Sequence, residues 1–157
     1  MTRFGVIGAG LPALLVSTAA APPAAPAACT GPPSKFRLFV HVESVRSARG
    51  LIAVTLYADD PRRFLARRGS LYVGRVPARA PVTRLCIHLP RAGTYGLAAY
   101  HDADANRSFN RSGIGLPAEG FGFSNNPSTL FGIPAFRAVR LAIPKSDMTT
   151  TVRLHYP

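Results

Sequence analysis

The chain has 157 residues, with 19 Lys and Arg against 7 Asp and Glu, a formal net charge of +12, 15 Pro, 14 Gly and no Trp. That length suits one modest domain and excludes a multidomain enzyme, while 47% apolar against 17% charged residues excludes a disordered tail and calls for a buried core. The excess of arginine over acid directs attention to polyanionic partners.

Met1-Thr2-Arg3 followed by the apolar and small residues Phe4 to Ala20 reads as a secretory signal peptide. The competing reading is a membrane anchor, for which the run is marginal and is interrupted by Pro12. Residues 1–28 are therefore expected to be leader, with several small-residue cleavage sites between Ala19 and Ala28. Residues 29–157 are expected to be a periplasmic or secreted domain with no further spanning segment. The leader carries only Arg3, so the basic surplus belongs to the domain. Cys29 and Cys86 are an even pair in an exported chain, which favours a disulfide. Two alternatives stand beside it. One is a lipidated Cys29, although Pro26-Ala27-Ala28 lacks the large aliphatic residue usual before such a cysteine, and the other is two free thiols.

From Lys35 the pattern becomes short alternating segments. Phe36, Leu38, Val40 and Val42 form one face of a half-buried strand, and Ile52, Val54 and Leu56 one face of the next, so Phe36–Val45 and Leu51–Tyr57 are expected to pair as a hairpin through Arg46–Gly50. Asp59-Asp60-Pro61 resembles a helix entry and predicts a short helical turn. Strands are expected over Ser70–Pro77, Val82–Leu89, Thr94–His101, Ala135–Ile143 and Thr149–Tyr156. In the second of these, Cys86 shares the outer face with Arg84 and His88. About seven short strands joined by Gly- and Pro-marked turns predict an all-β fold, an antiparallel immunoglobulin-like or transthyretin-like β-sandwich.

The stretch 102–134 breaks this rhythm. It exceeds the roughly 12–15 residues of an ordinary structureless connection, and its Phe109, Phe121, Phe123 and Phe131 predict an ordered loop packed on itself and on the sandwich. Asp102, Asp104 and Asn106, then Ser108 and Asn110, set oxygens at alternate positions in the D-x-D-x-N manner of calcium loops. A hard cation needs six to eight oxygens, and a curled loop supplies them in this spacing. Against this, the sixth position is Arg107 where glycine is usual, and the twelfth is Gly113 where a bidentate Glu is usual. The same oxygens also suit an Asx-turn network holding backbone amides.

His101-Asp102-x-Asp104-x-Asn106, the run Gly115-Leu116-Pro117-x-Glu119-Gly120-Phe121-Gly122-Phe123-Ser124-Asn125-Asn126, and Phe131-Gly132-x-Pro134-x-Phe136 together resemble the bacterial exported family called domain of unknown function 2141. The similarity runs from about Phe36 to the C-terminus. That family typically carries His-Asp-x-Asn-Gly-Asn-Gly and then an acidic residue. Here Ala105 and Arg107 stand for the glycines and Asn110 for the acid, which bears on metal binding more than on membership. The resemblance implies an exported β-sandwich of unassigned activity and carries over no catalytic residues. From the residues themselves, the second motif has two readings. It is a loop folded for structure alone, or Glu119, Asn125 and Asn126 line a shallow polar site walled by Phe121 and Phe123.

Eight of the nineteen basic residues fall between Arg62 and Arg91, giving either a cationic face for an acidic glycan or lipid head group, or a composition set by a GC-rich genome. Intracellular nucleic acid is not an expected partner of an exported chain. The nucleophile-elbow, C-x-x-C, H-E-x-x-H and phosphate-loop patterns are missing, and His41, His88 and His155 stand apart from one another. His101 abuts Asp102 and supports a second reading, a small envelope hydrolase with its site in the loop. A third reading is a purely electrostatic polyanion binder. The leading expectation is a noncatalytic binding or structural module at the envelope, with an envelope protein, acidic glycan or lipid head group as partner and calcium as its one candidate cofactor.

Overall fold

The computed structural model describes residues 28–130 and 132–157, so the leader expected over 1–28 lies almost wholly outside the described residues, as does Phe131. Eight strands follow in order: β1 Phe36–Glu43, β2 Leu51–Ala58, β3 Tyr72–Pro77, β4 Val82–Leu89, β5 Gly93–Asp102, β6 Phe121–Phe123, β7 Arg140–Ile143 and β8 Met148–Arg153. One helical turn, α1, spans Phe136–Val139. No helix among the described residues is long and apolar enough to cross a membrane.

The strands form a β-sandwich. A three-stranded sheet runs β4-β1-β8 and a five-stranded sheet runs β3-β2-β5-β6, with β7 on the same edge of β5 as β6. Alternate side chains of both sheets meet between them: Leu38, Val40 and Val42 of β1 and Leu85, Ile87 and Leu89 of β4 face Ile52, Val54 and Leu56 of β2 and Leu97 and Ala99 of β5. Each of the larger ones contributes about 1.5–3 kcal/mol by leaving water, which is why the alternating pattern is so legible in the sequence. Cys29 and Cys86 are disulfide-bonded. Thr30 then pairs with the free edge of β4, donating to Cys86 O at 2.8 Å and accepting from His88 N at 2.9 Å.

Three expectations about the elements are corrected. β1 and β2 are not a hairpin: β1 pairs with β4 and β8, and β2 with β3 and β5. Alternation tells which face of a strand is buried but not which strand lies beside it, and Arg46–Gly50 carries the chain across from one sheet to the other. Among the eight strands, pairing is antiparallel except for β1 with β8, which is parallel. The strand expected over Ala135–Ile143 begins with α1 instead, because Phe136 and Val139, three apart, both turn inward onto the outer face of the five-stranded sheet. The helical turn after Asp59 is a run of tight turns closed by Asp60, Arg63 and Ala66 carbonyls. Asp60 does cap Arg62 N, but Leu65 at φ +55° and Arg68 at φ +60° cannot continue a right-handed helix.

Candidate functional site

The outer face of the five-stranded sheet carries a strip of aromatic rings. Tyr57, Phe64, Phe123 and Phe136 meet through Phe64, and Phe123, Phe121, Phe109 and Tyr100 continue in edge contacts at 5.4–6.0 Å between centroids. The strip ends where β5 ends, at Asp102. There the loop reverses and places Asp102, Asp104 and Glu119 with one carboxylate oxygen of each within 4.8 Å of the others. Asp102 is fully buried and Glu119 is 7% exposed, whereas Asp104 faces solvent.

Each carboxylate is held by amides. Asp102 accepts Asn106 N at 3.0 Å and Arg107 N at 2.8 Å, one on each oxygen. Asp104 accepts Asn106 N at 3.2 Å and the side-chain amides of Asn106 and Asn110 at 2.9 and 3.0 Å. Glu119 accepts Asn110 N at 3.0 Å. The Ser108 amide donates to Asn106 Oδ1 at 2.7 Å. Burial and the charges of Asp102 and Asp104 hold the Glu119 carboxyl above its usual range, against the pull of the Asn110 amide. Hydrogen bonding, led by the Asn106 amide, holds Asp104 below its usual range.

The five-residue alternating pattern is thus joined by a residue from a different segment. Glu119 supplies the third carboxylate that Gly113, at the twelfth position, does not. Ala105 and Arg107 adopt φ +57° and +65°, so the loop makes its left-handed turns without glycine, the residue that makes them easy. Three of the seven acidic residues converge here in a chain with nineteen Lys and Arg. The salt bridges among the described residues lie elsewhere, at Arg37–Asp147, Arg140–Asp59 and Arg153–Glu43.

His101 does not join this cluster. Adjacent strand residues point to opposite faces, so Asp102 lies outside the sheet while His101 turns inward, 2% exposed, with Nδ1 2.8 Å from Tyr156 Oη and Nε2 2.8 Å from Arg49 O. His101 and Asp102, adjacent in sequence, thus face opposite sides of the sheet.

The second motif also divides. Glu119 goes to the carboxylates, and the rest is architecture. Gly120 leaves room for the Tyr156 ring and accepts His101 N through its carbonyl. Phe121 and Phe123 pair with Tyr100 and Ala98 of β5, while Gly122 between them lies against the Arg153 carbonyl, where any Cβ would overlap backbone. Ser124, fully buried, accepts Leu97 N and donates to Val139 O, tying β5 to the end of α1. Asn125 at φ +63° donates to the Ala138 and Arg140 carbonyls, and Asn126 at φ +49° binds Thr151 O and Arg153 N along β8. The shallow site shared by Glu119, Asn125 and Asn126 is not formed. Three-residue β6 runs away from the carboxylates and delivers the two asparagines to the seam between the sheets.

Gly115 at φ +82° closes a small hairpin in which Arg111 pairs with Pro117. Arg75 crosses from β3 to the loop, its guanidinium 3.4 Å from Arg107 O. No spacing in the sequence announces Arg75, because its proximity arises only from the β3-β2-β5 strand order.

No curated protein and no solved structure matches this chain. Residues 40–151, which contain β1 from Val40 through most of β8 and the whole carboxylate loop, match the family described as uncharacterized protein conserved in bacteria (DUF2141), and the chain belongs to that family.

Proposed function

We propose that this chain is an exported, noncatalytic module of the bacterial envelope whose 102–134 loop is organised by a divalent cation, calcium for preference, into a contact surface. One observation carries the reading: Asp102, Asp104 and Glu119 bring three carboxylates together, held by amides and without a salt bridge among the described residues. Like charges this close raise one another's proton affinity, and a hard dication relieves that repulsion more completely than hydrogen bonds do. Asn106 and Asn110 stand beside them, and a half-turn of the Asn110 amide exchanges its nitrogen for an oxygen facing Asp104. Three carboxylates, amide oxygens and water supply the six to eight ligands that calcium takes. The noncatalytic part of the reading is supported by His101, whose two ring nitrogens are engaged inside the sandwich.

Calorimetric titration of calcium into the chelator-treated protein tests this, paired with melting curves with and without the ion. Heat of binding and a raised melting temperature are expected, both abolished in Asp102→Ala and Asp104→Ala. No heat and no melting shift at millimolar calcium overturn the reading and leave the loop as an amide-carboxylate network.

A further inference from the structure

The loop that carries the carboxylates also projects an aliphatic tip. Ser112 N donates to Leu116 O at 2.8 Å and Gly115 N to Ser112 O at 2.8 Å, closing the hairpin between Arg111 and Pro117. Ile114 and Leu116 stand at its turn, 82% and 58% exposed. A Cβ at Gly113 or Gly115 would meet nothing within 4 Å, so the turn projects away from the domain. The Arg111 guanidinium is held beside it, donating to Gly115 O at 3.0 Å and lying 5.4 Å from the Phe109 ring centroid. Arg107 and Arg111 are exposed, and neither is in an ion pair among the described residues.

We infer that this tip docks the protein on a bilayer surface bearing anionic lipid. A convex turn offers no groove to a peptide or a glycan. A bilayer accepts this shape: aliphatic side chains enter the boundary between head groups and acyl chains, and guanidinium groups bind the phosphates above them. The basic surplus, all of it but Arg3 in the domain, adds a long-range attraction to anionic lipid. Asp102, Asp104 and Glu119 oppose it, since they flank the base of the hairpin through Asn110 and Glu119. Docking is consequently tighter with calcium if the cation reading holds.

The absence of tryptophan makes a direct test possible. The exported chain is sedimented with phosphatidylcholine vesicles, with and without about one third phosphatidylglycerol, in chelator and in calcium. Binding to the anionic vesicles alone is expected, with partitioning reduced about tenfold or more in Ile114→Ser/Leu116→Ser and the melting temperature unchanged. In Ile114→Trp, the single indole should shift its emission to the blue on the same vesicles. Absence of binding in both arms overturns the inference, whatever heat calcium gives in solution. Full binding by the double serine variant, or an unshifted indole on bound protein, also overturns it and assigns the attraction to the arginines of residues 62–91. Vesicle binding without calcium heat overturns only the cation reading.

Discussion

The connection between β5 and α1 has two halves built on opposite physics. From Asp102 to Glu119 the chain is held by carboxylates and amides, much of it in contact with water, and two of its turns use residues unsuited to them. From Gly120 to Asn126 it is held by strand register, buried rings and two glycines pressed against other parts of the chain. The second half has one arrangement, because close packing leaves no alternative partner for each atom. The first half has lone pairs that another occupant can use. The contrast separates the part of the loop that builds the domain from the part available for function.

The largest effect should come from the packed half. Gly122→Ala forces β6 away from the Arg153 carbonyl, and a loss of about 3 kcal/mol is expected in denaturant unfolding, with calcium response weakened only through stability. A loss below about 0.5 kcal/mol would show that β6 yields freely, and the contrast between the halves would fail.

A smaller change of opposite sign is expected in the polar half. Ala105→Gly and Arg107→Gly relieve left-handed residues at φ +57° and +65° and should each raise stability by about 1 kcal/mol, measured by the same unfolding curves. Destabilisation by both would mean that their side chains contribute more than the backbone strain costs.

The smallest effect is a slope. Because Glu119 titrates above its usual range when folded, the native chain binds more protons there than the unfolded one. Its contribution is therefore full at low pH and is lost as pH rises through the Glu119 range. Asp104 works in the other direction, stabilising above its unfolded value and losing that contribution as pH falls through its lowered one. Melting temperature followed against pH in chelator should show the Glu119 loss, and both Glu119→Gln and added calcium should remove it. A profile identical in wild type and Glu119→Gln would mean that neither burial nor the neighbouring carboxylates raise the Glu119 carboxyl.

Much of this is legible in the sequence, for a physical reason. A strand with one wet face writes its burial into every second residue, so Leu38-Val40-Val42 and Ile52-Val54-Leu56 announce both their conformation and their core face. The amide-holding role of Asp102, Asp104, Asn106 and Asn110 is legible too, since Asx turns are local in the chain. Phe121-Gly122-Phe123 was recognisable as a motif but too short to be read as a strand.

What only the tertiary structure decided was who meets whom across distance. Alternation carries no address, so the separation of β1 from β2 into different sheets, the parallel β1–β8 pair and the approach of Arg75 to the loop follow from the assembled strand order. The same holds at the site: Asp102 and Glu119 are seventeen positions apart, and their meeting depends on the chain returning along β5 as β6. Local sequence determines conformation and face because those depend on neighbours within a few bonds. Proximity between distant segments is settled by packing of the whole core, and the third carboxylate enters the site only there.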